Sequence, residues 1–157
     1  MIVVSNTTPL IGLASIQQFA LLTALFGEVH IPQAVFDEAY HTGNVKHPIP
    51  VADWINVVGV NDRLAVEVLL DELDLGEAET IVLARELNAD WVLMDERKGR
   101  RKLDQLGVKK IGTLGILLKA KQLGILPAIK SAIETLHQQG FSLSQSVIDA
   151  VLLQADE

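Results

Sequence analysis

The chain has 157 residues, 49% of them apolar and 21% charged, with a formal net charge of −7. Such a composition builds one core of Leu, Ile, Val and Ala and excludes a disordered chain. The sequence has no cysteine, which excludes disulfides, thiolate metal sites and cysteine nucleophiles. No apolar run approaches the roughly 20 residues of a bilayer span, and Met1 is not followed by a basic n-region. The expectation is a cytoplasmic protein.

Ile2 to Val4 is a β-branched run suited to a strand buried on both faces. Thr7-Thr8-Pro9 then reads as a helix start, with a hydroxyl N-cap and proline in the first turn. A second helix is expected over residues 16–26, stopped by Gly27. Val29-His30-Ile31 is a short strand, and Pro32 opens a helix through Val35, Phe36 and Ala39. His41 to Pro50 holds Gly43, Pro48 and Pro50 and reads as a loop. Ile55 to Val60 is extended, and residues 64–73 are helical. Gly76 interrupts before a helix over residues 77–87.

Trp91 to Met94 forms the next strand, and an amphipathic helix over residues 97–106 ends at Gly107. Val108 to Ile111 is the last strand. Helices follow near residues 113–123, 127–138 and 144–153. Strands alternating with helices imply an α/β fold around a mainly parallel sheet, in a single domain over residues 1–157. The helices from about residue 127 are expected to pack on that domain or extend from it.

The chemistry gathers where apolar runs break off. Asn6, Glu38, Glu77 and Asp95 stand beside such breaks, at the rim where side chains from different strand ends meet and ligands bind. Side-chain oxygens gathered there suit Mg²⁺ or Mn²⁺. Asp37 lies about 100° round the helix from Glu38 and should face elsewhere. Glu77 and Glu79 share no face in mid-helix, but they can converge within a first turn, where free N–H groups favour carboxylates. The inner set is therefore Asn6, Glu38, Glu77 and Asp95, with Glu79 and Glu96 outside it.

Each residue alone also has a structural reading. Asn6 makes a turn, Glu38 is solvated, Glu77 decorates a helix start and Asp95 caps the following helix. Only their joint placement points to catalysis. His30, His41, His47 and His137 have no zinc-type spacing, and His30 reads as a structural residue in its strand. Ser5, Thr7 and Thr8 have neither a nucleophile elbow nor a histidine placed beside them. Gly112-Thr113-Leu114-Gly115 lacks the P-loop lysine and reads as a close-packed turn, whose Thr113 hydroxyl can reach a phosphate or a metal-bound water.

An acidic balance does not mark a general nucleic-acid binder. However, Arg97, Lys98, Arg100, Arg101 and Lys102 crowd into six residues directly after Asp95-Glu96. That run is either a solvated helix face or a path for a phosphate backbone.

Val3 to Ile11, Gly76-Glu77-Ala78-Glu79, Met94-Asp95-Glu96-Arg97 and Ile111 to Gly115 resemble, in order, the motifs of PIN domains. The likeness runs from residue 2 to about residue 126, nearest to a branch of uncharacterised prokaryotic proteins predicted to bind nucleic acid. The resemblance implies a three-layer α/β/α fold and a Mg²⁺- or Mn²⁺-dependent ribonuclease. It also implies kinship with VapC-like toxins, which are held inactive by an antitoxin and are often homodimers. Carried over motif by motif, the metal-holding acids fall on Asn6, Glu38, Glu77 and Asp95. Arg97, Lys98, Arg100 and Arg101 would draw in RNA.

The first of these positions is normally aspartate, so Asn6 removes a full charge. Two alternatives therefore stand beside the nuclease: a catalytically weakened PIN fold that binds RNA or a protein, and a Mg²⁺-dependent receiver-like domain with a phosphoaccepting aspartate.

Overall fold

A computed structural model describes residues 1–41 and 48–157. His47 and Gly43 lie outside the described residues, as does most of the expected loop. Within them, five parallel strands form one sheet in the order β3-β2-β1-β4-β5. They are β1 (Val3–Ser5), β2 (Val29–Pro32), β3 (Ile55–Val58), β4 (Trp91–Leu93) and β5 (Lys110–Ile111). β1 is central and fully buried, with Val4 opposite His30 on one side and Val92 on the other. A receiver domain would have the order 2-1-3-4-5, so this topology sets the phosphoacceptor reading aside.

Adjacent residues in a strand face opposite ways, and the two cores divide accordingly. Val3 and Leu93 join a large core with α1 (Thr7–Ser15), α2 (Leu21–Phe26) and α7 (Thr113–Gln122). α8 (Lys130–Gln138) and α9 (Gln145–Gln154) belong to it through Ile133, Leu136 and Val151. Val4, Val92 and Met94 join a smaller core with α4 (Arg63–Leu69), α5 (Leu75–Glu86) and α6 (Arg97–Gln105). Helices thus cover both faces of a parallel sheet, a three-layer α/β/α fold. α3 (Gln33–Tyr40) leaves β2 at the rim and packs against α1 and α5. Among the described residues no helix is long and apolar enough to cross a membrane.

Several boundaries differ from expectation for local reasons. The N-cap of α1 is Asn6 rather than a threonine, and its side chain makes no capping bond because it is engaged elsewhere. α2 begins at Leu21 instead of residue 16, because Gln17 turns the chain with φ of +59°. Gly27 ends α2 as expected, with φ of +74°. Gly76 does not interrupt a helix but lies inside α5, which starts earlier at Leu75. Pro32 closes β2 and serves as the N-cap of α3.

Candidate functional site

Three elements bring acids to the carboxyl ends of β1, β2 and β4. β1 runs straight into α1, which places Asn6, Thr7 and Thr8 at the rim. Thr7 Oγ1 donates to Glu38 Oε2 at 2.8 Å, fixing the acid that α3 carries. Thr8 Oγ1 donates to Glu96 Oε1 at 2.5 Å, and Asn6 Nδ2 donates to Glu96 Oε2 at 3.0 Å. Consecutive residues of one turn therefore hold Glu38 and Glu96, which are separated by 58 positions in sequence.

Glu77 enters from α5. Asp74 and Glu77 form a capping box: Glu77 N donates to Asp74 Oδ1 at 2.8 Å, and Asp74 N donates to Glu77 Oε2 at 3.0 Å. The box keeps a buried carboxylate on the site side of the helix start. Gly76 beside it leaves room for Glu38, since a Cβ there would stand 2.6 Å from Glu38 Oε1. A glycine inside α5 costs helix propensity, and the close approach of Glu38 is the reason it is tolerated.

Charge crowding shows in the acidities. Burial pushes the Glu38 carboxyl up, opposed by the Thr7 hydrogen bond and reinforced by Asp74, Glu96 and Glu79. Glu77 is pushed up to about 7 by burial, opposed by its backbone hydrogen bond with Asp74 and reinforced by the Asp74 and Glu96 charges. Glu96 contributes to the shifts of Glu38, Glu77 and Asp95 alike, so it sits electrically at the centre of the group.

Asp95 and Glu96 take different partners. Asp95 accepts from the start of α7, from Thr113 N at 2.8 Å and Thr113 Oγ1 at 2.6 Å. Burial raises the pKa of Asp95, those two bonds lower it, and Glu96 raises it while Arg100 lowers it. The Thr113 hydroxyl proton is thus committed to Asp95. Glu96, assigned to the outside, is the residue bonded to Asn6.

Glu79 is buried and faces away from its neighbour Glu77. It accepts from Ala34 N at 3.0 Å and from Arg63 Nη1 at 2.8 Å, tying α5 to the starts of α3 and α4. Asp37 points to solvent as expected and accepts from Gln33. His30 Nδ1 lies 3.2 Å from Val3 O, a structural contact between strands.

Two participants escaped the sequence reading. Asp74 carried a signal in the D-x-x-E spacing to Glu77, which marks a capping box. Thr8 carried none, because a hydroxyl in a helix start ordinarily serves its own backbone. On α6, Arg97, Lys98 and Arg101 are exposed. Arg100 is half-buried, donating to Met94 O at 2.9 Å beside Asp95.

The donors around this notch are all carboxylate, amide and hydroxyl oxygens, a set that suits a hard divalent cation. Burial chiefly raises the pKa of Glu38 and Glu77, and neighbouring carboxylates add to it, a repulsion that such a cation would offset. Among the described residues, no three acidic or histidine side chains already stand at metal-holding positions. The acids fit a hard cation in chemistry.

No curated protein and no solved structure gives a significant match to the chain. The model of the PIN-domain family DUF3368 matches residues 2–157. That span takes in all five strands and the acid-lined rim, and with it the chain belongs to the PIN-domain family.

Proposed function

We propose that the chain is a metal-dependent endoribonuclease, with Asn6, Glu38, Glu77 and Glu96 as the inner donors and Asp95 and Glu79 as their supports. The observation that carries the proposal is the meeting of Glu38 and Glu96 on adjacent threonines, with the Glu96 charge felt by both Glu38 and Glu77. Bound there, Mg²⁺ or Mn²⁺ would acidify a water and offset charge on the phosphodiester. The chain itself supplies orientation. Thr7 and Thr8 hold Glu38 and Glu96, and the Asp74 box holds Glu77. Thr113 keeps Asp95 at the start of α7, and Arg97, Lys98 and Arg101 offer exposed cations to the RNA backbone.

Incubating a labelled RNA with Mn²⁺ or with EDTA tests the proposal. Cleavage should require the metal and disappear in Glu38→Ala, Glu96→Ala and Asp95→Ala. Cleavage that survives in the Glu38→Ala, Glu96→Ala double variant discards this centre.

One observation favours a second reading, a PIN fold that binds RNA or protein without cutting. Asn6 stands where the resemblance expects an acid, and its amide already satisfies a Glu96 oxygen. RNA bound yet uncut at saturating Mn²⁺ selects that reading. A toxin role in the cytoplasm, with a co-encoded antitoxin, rests on the likeness to VapC-like proteins. Growth arrest on expression, relieved by Glu38→Ala, would support it.

A further inference from the structure

Arg100 differs from the cations around it on α6. Arg97, Lys98 and Arg101 are exposed, whereas Arg100 is half-buried and reaches back to the end of β4. Its Nη1 donates at 2.9 Å to Met94 O, the carbonyl of the peptide that leads into Asp95. Its backbone N–H donates at 2.9 Å to Glu96 O, the carbonyl that leaves the pair. Any residue at position 100 would make the second bond, but the first belongs to the arginine. One residue thereby grips the peptide before Asp95-Glu96 and the peptide after it.

Two glycines clear the space for this reach. A Cβ at Gly99 would stand 2.8 Å from Met94 Sδ, so its absence lets α6 settle against the fully buried Met94. A Cβ at Gly112 would stand 2.8 Å from Asp95 Oδ1 and 3.3 Å from Arg100 Nη1. The guanidinium and the Asp95 carboxylate therefore share the space over Gly112, the N-cap of α7. Met94 N also donates to Ile111 O, which ties the same strand end to β5. Asp95 goes to Thr113 on α7, while Glu96 goes to Asn6 and Thr8 at the start of α1. Both partners are reached only if the strand end between them is fixed. A guanidinium anchored on Met94 O supplies that, with its charge beside Asp95. An arginine meant for a phosphate backbone would keep its head in solvent, as Arg97 and Arg101 do.

We propose that Arg100 is a positioning residue, which acts through Met94 O and Asp95 to hold the two acids apart, and is not a contact for RNA. Its bearing on a cation rests on the metal-dependent reading above. A group that orients a metal donor is typically worth about ten- to a hundredfold in metal affinity. Arg100→Met keeps most of the stem and removes the donors and the charge. Measured by calorimetry without RNA, it should bind Mn²⁺ about tenfold or more weakly, while Arg101→Met should bind it as the wild type does. Arg100→Lys returns one donor and one charge, so it should recover most of the affinity. Methionine and lysine fill the stem alike, and that recovery is one that lost packing would not give. Without metal, the Thr113 amide held by Asp95 should exchange with deuterium faster in Arg100→Met than in Arg101→Met. Undiminished Mn²⁺ affinity in Arg100→Met, or a loss that lysine does not recover, overturns the proposal. So does an RNA salt slope that Arg100→Met lowers as much as Arg101→Met does. A wild type that binds no Mn²⁺ discards the metal-dependent reading instead. Thr113 exchange then decides the role of Arg100, and equal rates in the two variants overturn it.

Discussion

The Asn6 side-chain amide and the Glu96 carboxylate meet at 3.0 Å across 90 positions of the chain. At a rim crowded with carboxylates, Asn6 supplies a donor where an acid would have added another negative charge. Glu96 is thereby satisfied on both oxygens, by Asn6 and by Thr8. The metal-free site gains stability from this amide, while its pull on a cation is weakened.

Asn6→Asp should reverse that balance. Without metal the variant melts at lower temperature, because the new carboxylate faces Glu96 with no donor between them. Mn²⁺ affinity, read by calorimetry, should rise about tenfold or more, since one added charge near a divalent ion outweighs a neutral oxygen. Saturating Mn²⁺ should then raise the melting temperature of the variant more than that of the wild type. Unchanged affinity would show that Asn6 lies outside the cation's reach.

Gly76→Ala separates the site from the fold. The new Cβ would stand 2.6 Å from Glu38 Oε1, the far end of a flexible side chain that can swing away. Helix propensity favours alanine by up to about 1 kcal/mol, so thermal stability should hold or rise slightly. Metal affinity and any Mn²⁺-dependent cleavage should fall, because Glu38 must leave Thr7 to make room. A stable variant with undiminished metal binding would show that Glu38 is not a donor.

The architecture was legible in the sequence because its signals are local and strong. Continuous runs such as Ile2 to Val4 and Trp91 to Met94 have one sensible place, inside a two-faced parallel sheet. Motif order carried Glu38 and Glu77 to the rim for the same reason. The partners of Asp95 and Glu96 were not legible. Two adjacent acids after a strand point to different sides, and the one that turns toward α7 is decided by Thr113, 18 positions later. Gly76 misled because its small size answers to Glu38 on another helix rather than to its own backbone. The role of Thr8 likewise depends on a partner 88 positions away.

Glu77 should make stability depend on pH. Its carboxyl is raised to about 7 in the folded protein from 4.5, chiefly by burial. A raised acid binds its proton more tightly folded than unfolded, so its contribution is present below about pH 4.5 and is lost as pH rises through about 7. Urea unfolding in EDTA should therefore show stability falling between these limits. Glu38 and Asp95, also raised, add in the same direction. Saturating Mn²⁺ should flatten or reverse the slope, because a cation binds only the ionised form. Glu77→Gln should flatten it without metal. A wild-type slope that rises with pH in EDTA would contradict the assigned burial.

Glu79 holds the scaffold on which Glu38 stands. Its buried carboxylate is the acceptor for Ala34 N, at the turn from β2 into α3, and pairs with Arg63 at the start of α4. Glu79→Ala leaves that buried N–H without its acceptor, which costs about 1–3 kcal/mol, with further loss from the cavity. Glu79→Gln keeps an acceptor for Ala34 and should recover most of the stability. Arg63→Ala should cost less than Glu79→Ala, because the arginine side chain is 56% exposed and water replaces much of the pairing. The amide of Ala34 should exchange with deuterium faster in Glu79→Ala than in Arg63→Ala. Equal exchange in the two variants would mean that the ion pair, rather than the backbone bond, fixes α3.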